Sequence, residues 1–263
     1  MKQLFKTAFF QFCFALSRVT QFFGHRVGPI VLMYHSVGEN DAKLTVTPQV
    51  FRAQMEYIRD HRSIINMEDI LLFLDGKKSL PKNAVSVTID DGYLDTYREA
   101  FPILKEFKIP FTLFLTTNLT ELKPLGNFPR PTWDQLREMS AVGLMTIGLH
   151  GHDHLHINEI ADDKALLDKE LKDSASIIEK EIGKPPKVYA YAFGARDPRI
   201  PSYLKEIGVE AGFGITDGIL TPISDCYALP RVQIDRTMSF RLFQLRTSGA
   251  IEIAQKLKKL FRP

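Results

Sequence analysis

The sequence predicts one α/β domain built on a parallel sheet, either open or closed into a barrel. Short apolar runs rich in β-branched residues alternate with amphipathic stretches of helical period, and that alternation lays helices on the faces of a parallel sheet. The length, 263 residues, suits one large core and is common among single α/β barrels. No internal repeat or low-complexity linker divides the chain.

The elements follow in order. In the first 28 residues, Leu4, Phe5, Ala8, Phe9, Phe12, Ala15, Leu16, Val19, Phe22 and Phe23 recur at helical spacing and form one stripe. Lys2, Lys6, Gln11, Arg18 and Gln21 fall off it, and Phe10 and Phe14 interrupt the polar face. The apolar run is too short to span a bilayer. Three readings stay open: a helix packed on the domain, an interfacial membrane helix, and an export signal. For the last, Lys2 and Lys6 would form the basic region and residues 8–16 the apolar one, but Gln11 interrupts it and no clean cleavage site follows.

Strands are predicted at 30–34, 85–89, 111–116, 146–149, 188–191 and 212–216, each a short apolar run. Helices are predicted at 48–61, 67–74, 93–107, 132–142, 161–182 and 201–207. Thr47 before Pro48, and Thr132 with Gln135 three residues on, are start signals. Residues 119–130, punctuated by Pro and Gly, read as a loop over the C-terminal edge of the sheet. Residues 250–263 form a second basic amphipathic stretch, with Ile251, Ala254, Leu257, Leu260 and Phe261 on one side and Lys256, Lys258, Lys259 and Arg262 among or opposite them. Two such ends point to contact with an anionic membrane surface. The chain thus divides into an N-terminal segment (1–28), a main domain (29–240) and a C-terminal helix (241–263).

Composition narrows the function. A net charge of +3 gives no ground for nucleic-acid binding. The two cysteines, Cys13 and Cys226, sit in unrelated contexts, which argues against a disulfide framework and favours a reducing compartment.

Two segments carry chemistry. Residues 85–92 are an apolar strand ending in Asp90, Asp91 and Gly92. About sixty residues later, another strand ends in His150, with His152, His154 and His156 close behind. Asp-Asp-Gly alone also suits a strand-ending turn, and a histidine run alone also suits adventitious metal binding. Together, each after a strand, they lie at the edge where such folds keep their active sites. One carboxylate and two imidazoles make a catalytic zinc set with a position left for water, and a second carboxylate can serve as base. His150 and His154, four apart, are one pairing; His152 allows another. The reading is a metal-dependent hydrolase.

These residues are similar to the polysaccharide deacetylases of carbohydrate esterase family 4, which share the NodB homology domain. The resemblance covers roughly residues 29–236. Thr88-Ile89-Asp90-Asp91-Gly92 resembles the family's Thr-Phe-Asp-Asp-Gly, His150-Gly151-His152-Asp153-His154 its His-Ser/Thr-x-x-His, and Tyr191-Ala192-Phe193-Gly194 its Tyr-Pro-Tyr-Gly. Trp133-Asp134-Gln135-Leu136 before the histidines and residues 171–182 after them fit its order. The resemblance implies a distorted (β/α) barrel of about seven parallel strands. It implies Asp90 as general base, Asp91, His150 and His154 as metal ligands, and the backbone N–H of Phe193 as oxyanion donor. A general acid must still protonate the leaving amine.

The acid is where the sequence departs from the commoner pattern, since no histidine follows His156. Residues 31–37, containing Tyr34-His35, resemble an early segment in the branch that includes poly-N-acetylglucosamine deacetylases. In that branch the acid role moves to this histidine, so His35 is the expected acid; a structural histidine ending a strand is the alternative. The family's arginine before Tyr191 is missing, and Arg231 is expected either to orient Asp90 or hold substrate, or else to form a surface salt bridge. Ala192 in place of Pro alters the groove there. Trp133 suits sugar stacking or, more commonly, the core.

The implied function is N-deacetylation of an N-acetylated sugar in a bacterial envelope or exopolysaccharide glycan, lipid-linked if the ends bind membrane. Alternatives are hydrolysis of another non-peptide amide on the same fold, or a non-catalytic glycan-binding module. Zn2+ suits the ligands, as do Ni2+, Co2+ and Fe2+. The favoured location is the cytoplasmic face of a membrane, with export as the alternative.

Overall fold

The computed structural model describes residues 2–22, 28–120 and 128–260. Phe23, the middle of the 119–130 loop, Phe261 and Arg262 lie outside the described residues, as do the side chains of Lys2, Leu4, Phe5, Gln21, Phe22, Lys258, Lys259 and Leu260.

Seven parallel strands form the main sheet: β1 (Ile30–Tyr34), β5 (Ala84–Ile89), β6 (Phe111–Leu115), β7 (Met145–Leu149), β8 (Val188–Ala190), β9 (Ala211–Phe213) and β10 (Val232–Gln233). Their order is β10-β1-β5-β6-β7-β8-β9. A short strand, β4 (Ser63–Ile64), pairs with the start of β5, and β2 (Ser36–Val37) pairs with β3 (Thr45–Val46) beside the sheet. Every residue of β1, β5 and β6 is buried. Covering both faces explains why these strands read as apolar runs rather than alternating ones.

One stretch of chain links the two sheet edges. Leu229 bridges Phe213 at the end of β9, and Val232 and Gln233 then pair with Leu32 and Met33 of β1. The sheet is thereby curled into the distorted barrel the sequence implies. Across its wall, Gly148 lets β7 pass the Phe114 ring: a Cβ there would come within 2.6 Å of it.

Helices α2 (Pro48–His61) and α3 (Met67–Leu74) have the predicted bounds. Thr47 accepts the Val50 N–H at the start of α2, and Thr132 and Gln135 form a reciprocal cap on α5 (Trp133–Ala141). The predicted 93–107 helix starts at residue 94 and runs through a π turn over Thr96–Ala100 into α4 (Phe101–Phe107). The 161–182 helix begins at α6 (Lys164–Leu167), where Asp163 caps Leu166 N–H, widens into a π turn over Asp168–Asp173, and continues as α7 (Ser174–Ile182). The last predicted strand stops at Phe213, beyond which the chain pairs with the 229–231 segment. Helix α8 (Ile200–Glu206) follows the predicted 201–207 closely. Helix α9 (Phe240–Arg246), capped by Ser239, and the two-residue strands had no clear periodic signal.

The N-terminal helix α1 (Lys2–Phe22) packs on α9 and α10 (Ala250–Leu260). Phe10, Cys13 and Ser17 of α1 are buried, as are Ala250, Ile251 and Ala254 of α10. The sequence stripe lies on another side: Phe9, Phe12, Leu16 and Val19 are exposed, Phe12 by 59%. Phe10, which interrupts the polar face in the sequence, belongs to the buried face. No helix of the described residues is long and apolar enough to cross a membrane. Trp133 packs against the core, the commoner use of a tryptophan.

Candidate active site at the strand C-termini

Strand β5 presents the acid pair. Asp90 N–H donates to Tyr34 O at 2.9 Å, and the β1–β5 register pairs Tyr34 with Ile89, so His35 stands beside Asp90. The chain then turns sharply, with Asp91 at φ 71° and Gly92 at φ 70°. Gly92 is needed twice over, since a Cβ would come within 2.5 Å of Leu115 as well as meet the left-handed backbone. Strand β7 delivers His150, and the following loop returns His154 at φ 57°.

Asp91 Oδ1 lies 3.2 Å from His150 Nε2 and 3.3 Å from His154 Nε2, and all three residues are buried. Their donor atoms lie within 4.8 Å of one another. His150 Nδ1 is 2.8 Å from Ala190 O. A proton on Nδ1, donated to that carbonyl, leaves the Nε2 lone pair facing the site, the usual arrangement of a ligating histidine. The set therefore fits a divalent cation of the zinc type.

The charges support this. Burial alone would raise the Asp91 carboxyl, but hydrogen bonds from His150 and His154 and the charges of His35 and His150 hold it well below the ordinary range. For His150, burial acts downward and is outweighed by Asp91 and Asp90, so its pKa is raised. His154 goes down, through burial and the charge of His150.

Asp90 belongs to a second cluster. Arg231, fully buried, donates to its two carboxylate oxygens at 2.6 and 2.7 Å. The guanidinium also reaches Thr88 Oγ1 at 3.1 Å and Gly214 O at 3.0 Å, and lies over the Phe114 ring. Burial pushes the Asp90 carboxyl up, yet the charges of Arg231, His150 and His35 and the Arg231 hydrogen bonds bring it below the ordinary value. His35 thus sits close enough to act on both acids. Its Nδ1 is buried with no hydrogen-bond partner.

Phe193 sits in the left-handed region (φ 56°, ψ 7°) on the tight turn Ala192–Gly194. Its ring meets His154 edge-on at 4.5 Å and stacks on His156 at 4.0 Å. This sets the backbone expected to donate to an oxyanion next to His154. His152 is turned aside, its Nδ1 2.9 Å from Thr117 Oγ1, which leaves His150 and His154 as the pairing.

Three participants were not anticipated. Tyr93 hydrogen-bonds Asp91 and lies tilted against Phe128, and burial and the Asp91 charge raise its phenol strongly. Arg130 lies over the Tyr93 ring, with Nε and Nη1 buried and without partners. Glu170 is buried behind the histidine loop. The signal for Glu170 was its place three residues after Leu167 and beside Leu171, on the apolar side of its helix. Tyr93 and Arg130 carried only nearness to the motifs.

A family profile described as polysaccharide deacetylase matches residues 77–212. The chain belongs to the polysaccharide deacetylase family. Among curated relatives, the poly-beta-1,6-N-acetyl-D-glucosamine N-deacetylase of Staphylococcus epidermidis is 30% identical over 199 residues, covering 72% of this chain and 68% of that protein. IcaB from Ammonifex degensii shares the fold with a TM-score of 0.75 at 26% identity, covering 86% of this chain and 97% of that one. The Streptococcus pyogenes deacetylase PplD, whose structure contains acetate, gives a TM-score of 0.74 at 26% identity, covering 85% and 99%. As a member, this polysaccharide deacetylase is a NodB-like barrel enzyme, which sets aside the non-catalytic reading.

Proposed function

We propose that this deacetylase removes the acetyl group from N-acetylglucosamine units of a bacterial exopolysaccharide or envelope glycan. The observation that carries the reading is the placement of two differently wired aspartates on one turn: Asp91 against two histidines, Asp90 against a buried arginine. Asp91, His150 and His154 are the residues that would hold the metal, zinc in this reading. A divalent cation held there would supply polarisation of the acetamide carbonyl and a more acidic water.

The protein groups do the rest. Asp90, fixed by Arg231, takes a proton from water as its oxygen attacks the carbonyl carbon. The Phe193 N–H stabilises the resulting oxyanion. His35 gives a proton to the sugar nitrogen as the carbon–nitrogen bond breaks, leaving acetate and a free amine. Phe193, stacked on His156 and 44% exposed, offers aromatic surface suited to a sugar ring.

The test is acetate release from polymeric and lipid-linked N-acetylglucosamine substrates by zinc-loaded protein, with Asp90→Asn as control. Acetate from wild type alone supports the reading. No acetate from protein that holds its metal would move the activity to another amide bond.

The exposed stripe Phe9, Phe12, Leu16 and Val19 supports peripheral attachment to an anionic membrane, with α1 and α10 as flanks of the catalytic domain 29–240. Flotation with anionic liposomes at low salt tests this, and a protein that never floats would end it.

A further inference from the structure

The two ligand histidines are oriented differently. His150 is fixed through its own ring, by the contact from Nδ1 to Ala190 O. A metal-ligating histidine almost always has such a partner for its second nitrogen. His154 has none: its Nδ1 is buried without a hydrogen bond, and its backbone is held in the left-handed region at φ 57°.

His154 is held instead through the backbone on either side of it. Glu170, 1% exposed on the π turn Asp168–Asp173, accepts from Asp153 N–H at 2.8 Å and from Leu155 N–H at 2.7 Å. These are the amides on either side of His154. Glu170 also fills the space behind Gly151, where a Cβ would lie 2.5 Å from Oε1. The π turn is a local widening of the helix, a feature often found at functional sites. Nearby, Ser174 Oγ donates to Gly151 O at 2.9 Å, while Lys169 and Asn118 hold the Asp153 side chain.

We propose that Glu170 is a positioning residue for the metal ligand His154, a carboxylate bracket on the flanking amides that replaces the missing ring hydrogen bond. This rests on the reading of His154 as a ligand. The bracket specifies the left-handed turn at His154, and so the direction in which Nε2 points. Glu170→Gln keeps the size but places an amide N–H against one of the two backbone donors, which opens the bracket.

The experiment measures zinc affinity by competition with a chromophoric chelator, and the melting temperature of the metal-free protein, for wild type, Glu170→Gln, His154→Ala and Lys169→Ala. Lys169→Ala loosens the same loop through the Asp153 side chain. The expected result is a fall in zinc affinity of about 10–100-fold for Glu170→Gln, with Lys169→Ala close to wild type. Wild-type affinity in Glu170→Gln, or an equal loss in Lys169→Ala, would overturn the proposal. If His154→Ala bound zinc as tightly as wild type, the ligand reading itself would fail. Should Glu170→Gln not fold, Glu170→Asp, which keeps the charge but shortens the reach, is read the same way.

Discussion

Arg231 meets both carboxylate oxygens of Asp90, at 2.6 and 2.7 Å, and neither side chain is more than 3% exposed. The two residues are far apart in sequence, Asp90 directly after β5 and Arg231 preceding β10, in the stretch that links the sheet edges. A bidentate arginine fixes the carboxylate plane while leaving lone pairs on both oxygens for a water proton. The strand closure and the placement of the proposed base are therefore one structural event.

Lysine cannot reproduce that fork. Arg231→Lys is expected to lower kcat/KM by about 100-fold, a positioning loss of the kind that geometry errors cause, with metal content unchanged. Its acid limb should move slightly to higher pH, since the paired Arg231 hydrogen bonds that help hold the Asp90 carboxyl down against burial are lost while the positive charge is kept. Arg231→Met leaves a buried carboxylate unpaired and should cost about 3–5 kcal/mol in denaturant unfolding.

His35→Ala should cut kcat by about 10²–10⁴-fold, the range of a lost general acid. Zinc affinity should stay as in wild type, because His35 is outside the donor set. Near-normal turnover in metal-loaded His35→Ala would end its assignment as the acid.

Metal should stabilise the fold through Asp91, His150 and His154. Zinc at about 100 times its Kd adds about 2.7 kcal/mol to the stability of wild type. His150→Ala and His154→Ala should lose that rise in melting temperature, whereas Asp90→Asn should keep it.

Asp95 offers a separate test. Its carboxylate accepts from Ser36 Oγ at 2.5 Å, next to His35. Burial pushes its pKa up from 3.8 to about 6, against the hydrogen bonds from Ser36 and the Val37 backbone. Between those values the folded state binds more protons than the unfolded chain, so this group's contribution falls as pH rises through the window. The full penalty, present above about pH 6, has a ceiling of about 3 kcal/mol, reduced where water screens the group. Asp95→Asn should remove this dependence, so the wild-type-minus-variant difference in urea midpoint should vary from pH 4 to 7. An invariant difference would show that Asp95 titrates normally.

Much of the architecture was legible because its signals are local. The bounds of β1, α2 and α3 follow from apolar runs and caps that each segment carries within itself. The short strand β10 and helix α9 were not legible, because two residues make no period and their stability comes from partners. The stripe on α1 was visible, but periodicity cannot say which apolar side finds a neighbour. Phe10 and Cys13 are buried in the core and Phe12 is exposed.

The site divides along the same line. By themselves the residues determined a family of hydrolytic chemistry: Asp90-Asp91-Gly92 and His150 with His154 follow strands, and residue type with strand-end position is contained in the order of the chain. Only the tertiary structure decided that His152 turns to Thr117, that Arg231 closes on Asp90, and that Glu170 grips the amides around His154. Each of these pairs residues at least 15 positions apart. Which distant groups meet is set by the closure and packing of the barrel, and no local pattern encodes that meeting.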